Sequence, residues 1–244
     1  MEKRVALITG ASRGIGAETA KLLAHGNHFV CINYHKGKDA AEDLASSIRQ
    51  SGGACATLCA DVSREDEVIA MIGDVRDRYG WISCLVNNAG YVSGCQNFED
   101  MSCDELHSVF SVNVYGAFFA IKHAVGHMKR LGKGAIVNVS SEAATYGGNR
   151  IAAYAASKGA INSLTRGLAR ELASSHIRVN AVSPGIIDTD MHREKAECQR
   201  DEMVRSIPFQ RMGKPDEVAQ VICWLLSDSS SYVSGAIVPV AGAR

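Results

Sequence analysis

Val5-Ala6-Leu7-Ile8-Thr9-Gly10-Ala11-Ser12-Arg13-Gly14-Ile15-Gly16 is the stretch whose reading decides the fold. A short apolar run of this kind is a buried strand candidate when turn residues bound it. Here Gly10, Gly14 and Gly16 follow in a G-x-x-x-G-x-G pattern and lead into the first helix. Glycine permits the tight turn and lets an anion approach bare backbone. The helix start behind it presents unbonded N–H groups and a positive dipole end. Strand, glycine turn and helix in that order predict a phosphate cradle, although the spacing differs from the commoner G-x-G-x-x-G.

The same alternation continues outward. Apolar β-branched runs recur at His28–Asn33, Ala54–Ala60, Ile82–Asn87, Ala135–Ser140, Arg178–Val182 and Ala236–Val240. Between them lie longer segments with polar faces, among them Lys38–Ser51, Arg64–Tyr79, Cys103–Arg130, Ala152–Ala173 and Pro215–Ser227. Strands alternating with helices predict βαβ units and a parallel sheet of about seven strands covered on both faces. At 244 residues the chain fits a single α/β domain spanning 1–244. One charged, irregular insertion between Pro184 and Pro215 breaks the pattern, and residues 188–212 are expected to form a lid over a ligand.

Composition excludes several functions. The chain carries 26 basic and 26 acidic side chains, so nothing favours a nucleic acid or an anionic membrane surface. No continuous apolar run reaches the ~18 residues that span a bilayer. The strand pattern begins almost at the N-terminus, which predicts no signal peptide and a cytoplasmic protein. Eight cysteines, at 31, 55, 59, 84, 95, 103, 198 and 223, form no C-x-x-C pair and read as small core residues rather than a disulfide frame.

Two further places carry chemistry. The second strand ends Ile32-Asn33-Tyr34-His35-Lys36, with no acid before Asp39. A carboxylate there would accept the ribose 2′-hydroxyl of NAD and repel the 2′-phosphate of NADP. Its absence, with Arg13 and Lys36 to supply positive charge, predicts NADP(H) over NAD(H). Ser141 follows the apolar run Ala135–Ser140, at the carboxyl end where ligands of open parallel sheets gather. Tyr154 and Lys158 are four residues apart in a helical segment and share a face. An ammonium beside a phenol favours the phenolate and is expected to lower its pKa from ~10, making Tyr154 an acid/base.

These motifs, in this order, resemble the short-chain dehydrogenase/reductase family over nearly the whole chain. The matching pieces are TGASRGIG at 9–16, Asp61-Val62, NNAG at 87–90, Asn113, Ser141, YAASK at 154–158, Pro184-Gly185 with Thr189, and SYVSG at 231–235. The resemblance implies a Rossmann fold and hydride transfer between NADP(H) and a small carbonyl or alcohol. It implies that Tyr154 is the acid/base, that Lys158 also bonds the nicotinamide ribose, that Ser141 orients the carbonyl, and that Asn113 holds a water serving Lys158. For the cofactor it implies Gly10, Ser12, Arg13, Gly14, Ile15 and Gly16 at the phosphates. Asn33, Tyr34 and His35 would border the adenosine, and Asp61 and Val62 the adenine. Asn88, Ala89 and Gly90 would support the cofactor, with Pro184, Gly185, Ile187 and Thr189 at the nicotinamide. A homotetramer or homodimer is also implied.

Within the family the chain looks most like the 3-oxoacyl-acyl-carrier-protein reductases and glucose dehydrogenases. Lys129 and Arg130 suit docking of a carrier protein, whereas Ser175 and His176 stand where a second basic residue is usual. The tail Val238-Pro239-Val240-Ala241-Gly242-Ala243-Arg244 also departs from the family's, and Pro239 marks a strand edge or end. Two alternatives stay open: a carrier-protein β-ketoacyl reductase, and a dinucleotide-binding regulator without chemistry. His123 and His127 share a helix face but lack the glutamate of a zinc motif, so they read as a partly exposed helix face and no metal is expected. Asp188 and Asp190 read as loop residues. Glu142, Tyr146 and Met191 are read as bordering the substrate pocket.

Overall fold

A computed structural model describes residues 4–189, 201 and 203–244. Its strands are β1 (Arg4–Ile8), β2 (His28–Tyr34), β3 (Ala54–Cys59), β4 (Ile82–Asn87), β5 (Gly134–Val139), β6 (Ile177–Pro184) and β7 (Ile237–Val240). They form one seven-stranded sheet in the order β3-β2-β1-β4-β5-β6-β7. Every pairing is parallel. The order reverses direction between β1 and β4, which opens a crevice at the carboxyl ends of those two strands.

The helices are α1 (Gly14–His25), α2 (Lys38–Gln50), α3 (Glu65–Tyr79), α4 (Cys103–Phe110), α5 (Gly116–Leu131), α6 (Ala143–Tyr146), α7 (Ala152–Glu171) and α8 (Pro215–Leu226). Apolar residues of α1, α2 and α8 pack with Ile8, Ile32, Val86 and Val137 on one face of the sheet. Those of α3, α5 and α7 pack with Leu7, Leu85, Ile136 and Val179 on the other. Alternate residues of each strand thus serve opposite cores, which is why the strands read as continuous apolar runs. Local signals agree with the ends. α3 opens on Glu65, Asp66 and Glu67 and closes with Arg76 and Arg78, complementing its dipole. α8 starts with Pro215, whose missing N–H costs nothing there.

The expected helix over Cys103–Arg130 differs in one respect. Ser102 and Glu105 form a capping box that starts α4. A π-helical turn at Ser111–Tyr115 then joins α4 to α5 and contains Asn113. The whole run Cys103–Leu131 is long and apolar enough to cross a bilayer by length and composition alone. In this fold its Ala120, Ile121, Ala124 and Met128 belong to the core.

Three cysteines (31, 55 and 84) are buried as expected, but Cys59, Cys95 and Cys103 are exposed. Cys198 lies outside the described residues. Pro239 is on β7, which pairs with β6 only, so the proline sits on an edge strand. The insertion leaves β6 and returns at Gly213, where Asp188 N donates to Gly213 O (2.8 Å) and Gly213 N to Ile186 O (2.9 Å). Residues 190–200 and 202 of the expected lid, Asp190 and Met191 among them, lie outside the described residues.

His127 is a core residue. It is 7% exposed, accepts the N–H of Ile82 at Nδ1 (3.3 Å), and meets Trp81 edge-on. Burial, helped by Arg76, lowers its pKa. Above the ordinary histidine pKa of about 6.5 the folded and unfolded chains are both neutral here. As pH falls through that value the unfolded chain takes the proton first, so stability is lost on acidification. The thermal midpoint should therefore drop between about pH 7 and pH 5, and His127→Gln should flatten that drop. An unchanged slope in the variant would remove this account. His123 instead pairs with Glu65 of α3 (2.9 Å).

Candidate active site

The glycine turn sits at the carboxyl end of β1, with the NNAG turn of β4 alongside. Gly10 has φ +59°, and a Cβ there would lie 2.8 Å from Ala89 Cα. Gly16 is equally confined, since a Cβ would stand 2.6 Å from Asn88 Nδ2. Asn88 stitches the two turns together by donating to Thr9 O (3.0 Å) and Gly10 O (2.9 Å). Thr9 Oγ1 answers by accepting from Asn88 N and Ala89 N, each at 3.1 Å. Gly14 also has φ +59°, and its missing side chain leaves room beside Thr189. No side chain caps the start of α1. A bare-backbone turn running into an uncapped helix start fits a dinucleotide phosphate.

The expected adenosine residues divide. His35 is half-exposed, with Nδ1 3.8 Å from Asp61 Oδ2. Burial alone would raise the Asp61 pKa, but the hydroxyl and N–H of Ser63, with His35 and Arg64, hold it below the usual carboxylate value. Tyr34 is buried, and Val62 is buried against Gly116 at the start of α5. Asn33 is 1% exposed, and its amide is turned into the fold. Ser12 Oγ faces Gly37 at the start of α2.

The catalytic candidates converge across the crevice. Ser141 follows β5, and its Oγ accepts from Ala143 N (3.1 Å), which fixes it at the start of α6. The Ser141 hydroxyl is near enough to the Tyr154 phenol to oppose the rise of its pKa. Lys158 lies one turn further along α7, 4% exposed, and donates to Val139 O (2.7 Å). Its Nζ is 5.7 Å from the Tyr154 ring centre. Asn113 accepts from Tyr91 N (2.7 Å) and donates to Tyr91 O (2.9 Å) and to Ser157 Oγ (2.9 Å). Ser157 in turn donates to Tyr154 O (2.7 Å), so the π-helical turn is tied to the Tyr154–Lys158 stretch of α7. Gly90 lies against both Lys158 Nζ and Asn113 Oδ1. A cavity of about 10 Å³, lined among others by Asn87, Asn113, Asn138 and Lys158, has room for one water.

The electrostatics correct one expectation. Burial raises the Tyr154 pKa, and the Ser141 hydroxyl is the group opposing it. Burial also lowers the Lys158 pKa to about 8. Both shifts arise because a low-dielectric site disfavours the charged form. Tyr154 is thus held as a neutral phenol that can donate a proton.

Of the residues expected at the nicotinamide, Gly185 is pressed against β7's tail, where a Cβ would lie 2.9 Å from Ala241 Cα. Pro184 ends β6, and Ile187 is buried in a bridge to Gly213. Glu142 is buried and accepts from Ser183 Oγ (2.8 Å), while Tyr146 is exposed. Sequence reasoning missed Thr9 and Ser157, which lie inside quoted motifs but stand out only through their partners. Among the described residues, no group of three His, Cys, Asp or Glu side chains could hold a metal.

The family described as Enoyl-(Acyl carrier protein) reductase matches residues 10–242. The chain is 44% identical to the Escherichia coli K12 protein "Uncharacterized oxidoreductase YgfF" over 98% of this chain and 99% of the relative. It is 35% identical to Glucose 1-dehydrogenase 2 of Bacillus subtilis over 98% and 93%. It is 37% identical to the 3-oxoacyl-acyl-carrier-protein reductase FabG of Staphylococcus epidermidis over 97% of both. With the parallel sheet and crevice, these likenesses make the chain an oxidoreductase that belongs to the short-chain dehydrogenase/reductase family.

Proposed function

We propose that this protein is an NADP(H)-dependent carbonyl reductase in which Tyr154 is the acid/base. The observation that carries the reading is the convergence of Ser141, Tyr154, Lys158 and the Asn113 turn at the carboxyl ends of β4 and β5, beside the glycine turn of β1. A bound nicotinamide cofactor supplies the hydride. Ser141 holds the substrate oxygen and opposes its developing charge. Tyr154 donates its proton to that oxygen, so that C=O and hydride become CH–OH. Lys158 places a positive charge near the phenol, and a water beside Asn113 returns the proton.

The case for NADP(H) over NAD(H) rests on charge. Past Asn33 the chain runs through Tyr34, His35 and Lys36 with no acid, and Arg13 is exposed at the start of α1. NADPH should give kcat/KM at least about tenfold above NADH, since a 2′-phosphate paired with one arginine contributes about 1.5–3 kcal/mol. Arg13→Ala should erase most of that margin. Comparable values for the two cofactors in the wild-type chain would overturn the preference. NADPH oxidation followed over ketones, β-ketoesters, acyl thioesters and sugars tests the reaction itself, and no turnover on any of them would favour a binding-only protein.

A small carbonyl compound is favoured over a carrier-protein thioester. Arg130, one of the two basic residues suited to a carrier protein, stacks over the Trp81 ring at 5.0 Å. The reading places the protein in the cytoplasm as a single domain assembled as a homotetramer or homodimer, with neither nucleic acid nor membrane as partner.

A further inference from the structure

Asn33 stands at the end of β2, where dinucleotide enzymes that prefer NAD place the acid that holds the ribose. Its amide does something else. Oδ1 accepts from Gly10 N at 3.1 Å. Nδ2 lies within donating distance of three main-chain oxygens: Ala60 O at 3.0 Å, and Tyr34 O and Leu58 O at 3.3 Å each. The residue's own carbonyl accepts from Ala11 N at 2.8 Å. One side chain therefore ties the glycine turn to the ends of β2 and β3.

The amide cannot be turned over. Exchanging its oxygen and nitrogen would set an acceptor against three carbonyls and a donor against the Gly10 N–H. At 1% exposure no polar atom of the side chain is left for a ribose. The bond to Gly10 also falls on a peptide with little freedom, because Gly10 is at φ +59° and its α-carbon packs closely on Ala89.

We propose that Asn33 is a positioning residue that sets the height of the Gly10 turn, and that the choice between NADP(H) and NAD(H) is not made at this position. This rests on the dinucleotide reading above. The consequence runs against the usual rule for β2 ends. An aspartate at 33 would not recruit NAD, because its second oxygen would face Tyr34 O, Leu58 O and Ala60 O. It would lift the turn and weaken both cofactors.

The test is fluorescence titration of the full chain with NADPH and NADH, for wild type, Asn33→Ala and Asn33→Asp, at about pH 7.5 and pH 5. Asn33→Ala should weaken both cofactors about tenfold, the worth of one lost hydrogen bond. The NADPH to NADH ratio should stay near the wild-type value, with KM for the cofactor raised and kcat at saturation kept. Asn33→Asp should bind more weakly still at the higher pH. It should recover toward Asn33→Ala at the lower pH, because a carboxyl facing carbonyls binds a proton and then donates. The nearby titratable groups Cys59, His35 and Asp61, and charged Lys36 and Arg64, are common to all three proteins, so the wild type at both pH values is the control. A shift of the ratio toward NADH by about tenfold in Asn33→Asp, or weakening confined to one cofactor in Asn33→Ala, would overturn the proposal. Should the wild type bind neither nucleotide, the functional reading fails separately. Thermal midpoints still decide the clamp: both variants should melt below wild type, with Asn33→Asp regaining ground on acidification, and equal midpoints would overturn it.

Discussion

Replacing Tyr154 by phenylalanine should lower kcat/KM for carbonyl reduction by about 10²–10⁴-fold, the usual worth of a positioned general acid. The ring keeps its place on α7, and only the hydroxyl is lost. NADPH affinity should therefore change little, and the loss should appear in kcat, as when an interaction of the transition state alone is removed. Burial that raises the Tyr154 pKa adds a pH signature. The proton stays on through neutral pH, so wild-type reduction should be level there and fall only on the alkaline side. Oxidation of the product alcohol, which needs the phenolate, should rise across the same range. Turnover within about tenfold of wild type in Tyr154→Phe would end the assignment.

Gly10→Ala is the second large effect, and it acts on structure and binding together. A non-glycine residue in the left-handed region costs about 1–2 kcal/mol. Here the added carbon also meets the main chain at Ala89 Cα, 2.8 Å away, and main chain cannot swing aside as a flexible side chain can. The turn must shift against Asn88, which holds it from the β4 side and also donates its N–H to Thr9. A chain of this size loses about 2–4 °C per kcal/mol, so the thermal midpoint should fall by at least about 4 °C. Dinucleotide affinity should fall by about 100-fold, since the backbone N–H groups that meet a phosphate move with the turn. Native-like affinity in Gly10→Ala would show that the turn is not the cofactor's seat.

The sheet was legible because its strands are short apolar runs and its connections are helices long enough to cover them. Even the edge position of β7 followed from Pro239. The site was legible only where a residue type announces its chemistry, as the tyrosine–lysine pair and the glycines do. Three features were hidden for physical reasons. The π-helical turn at Asn113 changes the hydrogen-bonding partner by one residue, and side-chain periodicity over so short a stretch does not record it. The raised pKa of Tyr154 depends on burial, whereas spacing showed only the nearby ammonium. Asn33 sits at the end of β2 in sequence, but which way its amide points is decided by the carbonyls of Leu58 and Ala60, more than twenty residues on.

The bridge between Ile187 and Gly213 has a consequence for how freely the chain between them can vary in length. Two backbone hydrogen bonds, Asp188 to Gly213 and Gly213 to Ile186, bring the ends of the excursion together before the chain re-enters the sheet at α8. The excursion is therefore a cassette with its own closed neck. Doubling the length of a flexible loop between fixed ends costs only about 0.6 kcal/mol. A segment of another length can close the same neck while the tyrosine, the lysine and the glycine turn stay where they are.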